Sequence, residues 1–111
     1  MSFTAYERSI GGVNAAVAAA GNSQATATEL TAGRNVITSA TATSADGVRL
    51  PAGWGVGEIM YIANNTAVNV DMFPPTDGAI GGGSDNAAVA ITANKMAVVM
   101  SLGNDDWAIA V

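Results

Sequence analysis

The chain alternates apolar and polar residues over short stretches, and two such stretches meet around Asn64-Asn65. Glu58–Ala63 is an apolar run. In Ala67–Phe73, Val68, Val70 and Met72 fall on one side and Asn69 and Asp71 on the other, the period of a strand with one face in a core. Asn tolerates the positive φ of a two-residue primed turn, so the spacing predicts a hairpin across Asn64-Asn65, ended by Pro74-Pro75 where no ladder can continue. A two-residue turn sets Tyr61 opposite Val68, Ile59 opposite Val70 and Gly57 opposite Met72. It also sets Glu58 opposite Asp71, an unfavourable like-charge pair, which leaves a three-residue turn including Thr66 as the alternative.

The same period recurs along the chain. Thr26, Thr28 and Leu30 alternate with Ala25, Ala27 and Glu29, and Asn35–Thr43 is a β-branched run. Val48-Arg49-Leu50 reads as a short strand stopped by Pro51. Ala87, Val89 and Ile91 alternate with Ala88 and Ala90; Met96, Val98, Met100 and Leu102 share one face of 95–102; Trp107, Ile109 and Val111 share another. Turn signals separate these runs at Ala32-Gly33, Ala45-Asp46-Gly47, Thr92-Ala93-Asn94 and Gly103-Asn104-Asp105. Thr76–Asn86 reads as a loop with a brief strand at Ala79-Ile80. Eight or nine short strands at this spacing predict an all-β domain over residues 23–111, a small barrel or jelly-roll-like sandwich.

Residues 1–22 differ. Phe3, Tyr6 and Ile10 are the large apolar side chains, Gly11-Gly12 interrupts, and Val13–Ala20 is Ala-rich. Ala favours a short helix; three spaced anchors followed by small residues favour an extended arm docked on a neighbour. Either way the segment is expected to stand outside the β domain.

Composition adds a reason to expect assembly. At 111 residues the chain makes one domain. Half of it is hydrophobic but only 5 % is aromatic, and a core of Ala and Val buries little area at roughly 25 cal/mol per Å². Subunits that bury surface against each other offset that shortage. Charged residues are 12 % and the net charge is −5. The four basic residues, Arg8, Arg34, Arg49 and Lys95, are scattered, whereas a nucleic-acid partner requires clustered cations. No run reaches the roughly 20 apolar residues of a membrane span. Ile10–Ala20 fits a secretory signal poorly, because Gly11, Gly12 and Asn14 break it and Glu7 adjoins Arg8. Neither Cys nor His occurs, which removes disulfides, thiolate and imidazole metal sites, and His-based triads.

The remaining candidates for chemistry are thin. Gly81-Gly82-Gly83 is followed by Ser84-Asp85-Asn86 and a strand, not by the Lys, hydroxyl and helix of a phosphate loop. Asp71, Asp77, Asp85, Asp105 and Asp106 offer oxygen ligands for calcium, Asp105 and Asp106 foremost, but not at EF-hand spacing. Glu29 and Glu58 lack the surroundings of a paired-carboxylate hydrolase, so no enzyme and no cofactor is expected. Trp107 runs in phase with Ile109 and belongs to the core. Trp54, in a Gly-flanked loop, is the better candidate for an interface anchor. Asn64-Asn65-Thr66 matches a glycosylation sequon and is read as a turn.

One resemblance rests on the order of these pieces: Asp46-Gly47-Val48-Arg49-Leu50-Pro51-Ala52, the apolar strand ending at Asn64-Asn65, the strand into Pro74, Gly78-Ala79-Ile80, the Asn-Ala-Ala-Val strand with Lys95 after its turn, and the closing Trp107 strand. This order resembles small structural proteins of tailed bacteriophages, of the capsid decoration (cement) or head-fibre kind, over residues 23–111. The resemblance implies a virion protein on the outer capsid surface, a homotrimer bound to the major capsid protein. Phe3, Tyr6, Ile10 and Trp54 are the expected capsid or subunit contacts. The alternative is a head spike or fibre domain that binds a host glycan, with Trp54, Tyr61 and Asp71 as its only candidate contacts.

Overall fold

The first six strands alternate between two sheets. A computed structural model describes residues 12–41 and 46–110, and among these there are nine strands and no helix. They are β1 (Val13–Ala18), β2 (Thr28–Glu29), β3 (Arg34–Ser39), β4 (Gly47–Arg49), β5 (Ile59–Asn64), β6 (Val70–Phe73), β7 (Val89–Ile91), β8 (Met96–Gly103) and β9 (Asp106–Ala110). One sheet has the order β1-β3-β5-β8-β9 and the other β2-β4-β6-β7. The first six strands therefore wind as a flattened coil. β1, β3 and β5 stack in parallel on one side, with Val13 beside Arg34 and Arg34 beside Tyr61. β2, β4 and β6 stack in parallel on the other. Antiparallel pairs β6–β7, β5–β8 and β8–β9 complete the two sheets.

The core lies between the sheets. Val17, Ile37, Met60, Ile62, Val99 and Trp107 from the five-stranded sheet meet Val48, Val70, Met72 and Ile91 from the four-stranded one, all buried. The all-β expectation holds. Neither sheet closes on itself, so no barrel forms, and the four parallel pairings do not follow the antiparallel pattern of a jelly roll. The arrangement is a two-sheet sandwich.

The hairpin expected across Asn64-Asn65 does not exist. β5 pairs with β3 and β8, β6 with β4 and β7, so the chain crosses from one sheet to the other between them. Tyr61 lies beside Val98 rather than Val68, and Ile59 beside Met100 rather than Val70. The reason is local. Neither Asn adopts a positive φ, so the chain turns a corner instead of reversing. Asn64 holds that corner: its Nδ2 donates to the carbonyls of Val68 (2.8 Å) and Ile91 (3.0 Å), and its Oδ1 accepts from the Thr66 hydroxyl (2.7 Å). The two-residue turn with both φ positive sits instead at Asn104 (53°) and Asp105 (63°), between β8 and β9.

The segment expected to stand apart from the β domain is corrected for residues 13–18. They form β1, paired along β3, with Val17 and Ala19 in the core. Parallel pairing with an existing strand and burial of Val17 outweigh the helix propensity of Ala. Phe3, Tyr6 and Ile10 lie outside the described residues. The strand expected around Thr26–Leu30 shortens to Thr28–Glu29, because Ser23–Ala27 is a turn closed by Ala27 N donating to Ser23 O (2.9 Å).

Candidate functional site

The two sheets present different outer faces. On the four-stranded sheet the outward positions include Glu29, Arg49 and Asp71, with an ion pair between Arg49 and Glu29 at 3.5 Å. That is the alternation of a sheet with one face in water. The five-stranded sheet is different. β5 opens Ile59-Met60-Tyr61-Ile62-Ala63 and β8 opens Met96-Ala97-Val98-Val99-Met100, each five apolar residues in a row. On β8 the small residues Ala97 and Ser101 face the core with Val99, and the larger Met96, Met100 and Leu102 face out.

Cross-strand register carries this outward set across the sheet. Tyr61 sits beside Val98, Ile59 beside Met100, Ala63 beside Met96, and Met100 in turn beside Ala108. Ile59 is 45 % exposed, Tyr61 40 %, Met96 58 % and Met100 37 %. An open groove of about 380 Å³ runs over this face, lined by Arg34, Asn35, Val36, Tyr61, Ala63 and Met96. A second of about 250 Å³ continues it past Val36, Ala63 and Met96 to Asn64, Asn65, Asn94 and Lys95. Arg34 and Lys95, two of the four basic residues, line its two parts, and no carboxylate lines either.

Among the described residues, chemistry of other kinds has no comparable centre. Asp105 Oδ1 accepts from Gly53 N (2.9 Å) and Asp106 Oδ1 from Ala79 N (3.0 Å), so both carboxylates anchor loops. Among the described residues no group of three or more acidic side chains is placed to hold a metal ion. Gly81-Gly82-Gly83 is a turn whose Gly81 N donates to Trp107 O (2.8 Å), beside an isolated bridge between Ile80 and Trp107. The sequon residue Asn64 is 1 % exposed and its amide is engaged.

Trp54 is half-buried. Its ring lies 5.5 Å from that of Trp107, and it packs on the core while its carbonyl accepts from Ser101 Oγ (2.9 Å). Trp54, Tyr61 and Asp71 are not brought together: Tyr61 faces out from one sheet, Asp71 from the other, and Trp54 packs against the core. Sequence reasoning missed the outer face as a site. The signal was present in the unbroken apolar runs of β5 and β8, which mark strands with both faces covered. Comparison with protein families, curated proteins and solved structures found no match to this chain.

Proposed function

We propose that this chain is a structural virion protein, a decoration or cement subunit that binds the outer surface of a tailed-phage capsid through the major capsid protein, as a homotrimer. The observation that carries the reading is the apolar outer face of β5 and β8 in the five-stranded sheet, whose grooves no carboxylate lines. Apolar strands that are covered on both faces belong to proteins whose structure is completed by a neighbour. The order of strand and turn residues from Asp46 to Trp107, which resembles capsid decoration and head-fibre proteins, supports the virion setting. In this reading the protein catalyses nothing. It binds only the assembled shell and stabilises it by mass action.

The glycan-binding alternative is weaker, because its three candidate residues lie on different sides of the sandwich. Incubating the purified chain with undecorated capsids and pelleting them tests the proposal. Co-sedimentation that saturates, with a raised temperature of capsid disruption, is expected. A chain that stays in the supernatant contradicts it.

A further inference from the structure

We infer that the outer face of the five-stranded sheet, centred on Tyr61 and Met100, is the surface through which copies of this chain bind one another. The inference deepens the decoration reading by naming the face that makes the oligomer.

Three observations converge on a second copy as the occupant. The first is the strand composition. Strands that read as near-continuous apolar runs are found where both faces are covered. Residues 59–63 and 96–100 are such runs, whereas β4 and β6 turn Arg49 and Asp71 outward. Among the described residues nothing covers the outer side of β5 and β8. The second is size. Half-exposed side chains of this kind present roughly 60–100 Å² each, so the face offers on the order of 600 Å², close to the roughly 800 Å² per partner of a standard interface. The third is charge. The chain carries −5 overall, and its copies repel wherever their carboxylates meet. The grooves across this face hold no carboxylate and two of the four cations, Arg34 and Lys95. It is a place where acidic copies approach without that penalty.

The test compares the full chain with Tyr61→Lys/Met100→Lys, both at exposed positions, and with Ala90→Lys on the outer face of the other sheet. Sedimentation velocity at micromolar concentration is expected to show an oligomer for the parent and for Ala90→Lys, and a monomer for the double variant. The near-ultraviolet circular dichroism of the Trp54–Trp107 pair should be unchanged in all three. A second measurement does not depend on any variant folding. Met96 and Met100 of the parent chain should be oxidised by peroxide several-fold more slowly in concentrated than in dilute solution.

A monomeric parent chain overturns the inference, as does a double variant that stays assembled, or Met96 and Met100 oxidised equally fast at both concentrations. If deleting residues 1–11 alone dissociates the oligomer, the occupant is that segment and not the sheet face of a second copy. Capsid pelleting is read separately: an assembled parent that fails to pellet removes the decoration reading and leaves the interface standing.

Discussion

Asn64 Nδ2 donates to the carbonyl of Ile91 at 3.0 Å, joining the last residue of β5 in one sheet to the last residue of β7 in the other. Both residues are buried. The same amide reaches Val68 O, and Asn94 N donates to Thr66 O at 3.1 Å. Two of the crossings between the sheets, residues 65–69 and 92–95, are thus tied side by side at this amide. Replacing Asn64 by Ala takes this side-chain donor from the buried carbonyl of Ile91 and from the part-buried one of Val68, which keeps the Thr66 hydroxyl at 3.1 Å. A lost buried hydrogen bond costs about 1–3 kcal/mol. We expect Asn64→Ala to lose about 2–4 kcal/mol in urea unfolding. Asn64→Asp should lose at least as much, because a carboxylate would face those carbonyls.

Trp107 is 1 % exposed and its indole nitrogen has no hydrogen-bond partner. Truncation to Ala opens a cavity worth about 3–5 kcal/mol. Trp107→Phe should cost much less, about 1–2 kcal/mol, because the smaller ring also removes a buried donor that nothing satisfies. A pair of denaturant titrations checks this. Equal losses for Phe and Ala would show that the nitrogen is satisfied.

Gly78 is needed for close approach. A Cβ there would collide with the backbone carbonyl of Asp105, while Gly78 N donates to Pro75 O (2.8 Å) and Gly78 O accepts from Asn86 N (2.7 Å). Backbone on both sides cannot yield as a side chain can. Gly78→Ala is expected to destabilise by about 2 kcal/mol or more. Gly82→Ala, whose Cβ would meet open space and whose cost comes only from its positive φ of 73°, should lose less, about 1 kcal/mol. Thermal unfolding of the two variants ranks them.

The alternating pattern made much of this fold legible. Val70 and Met72 are buried as their spacing with Val68 indicates, the turns at Thr92–Asn94 and Gly103–Asp105 occur, and Ile80 makes its short bridge. Pairing was not legible. A local pattern around Asn64-Asn65 is the same for a hairpin and for a corner that changes sheets, and only the carbonyls of Ile91 and Val68 decide between them. Parallel partners such as Val13, Arg34 and Tyr61 lie far apart in sequence, so no short-range signal joins them. β1 was hidden because its Ala-rich residues favour a helix when read alone. As for the site, the face shared by Met96, Val98, Met100 and Leu102 was visible in the sequence, but its direction was not. It points away from the core, and Ala97, Val99 and Ser101 point into it.

The position of β1 changes what a truncation should do. Removing residues 1–11 leaves every described strand in place, and we expect a folded domain with unchanged unfolding midpoint. Removing residues 1–20 strips β1 with Val17 and Ala19 from the core and should cost about 2–4 kcal/mol or abolish folding. Circular dichroism melts of the two truncations distinguish the outcomes. Equal stability would mean that β1 adds nothing to the sandwich.

The most direct measurement is a titration of the full chain onto undecorated capsids, with bound copies counted against capsid subunits in the pellet. The proposal predicts saturation at a fixed ratio corresponding to whole trimers, and loss of binding avidity in Tyr61→Lys/Met100→Lys as the trimer dissociates. A chain that remains in the supernatant at every ratio, while folded and assembled, would contradict it.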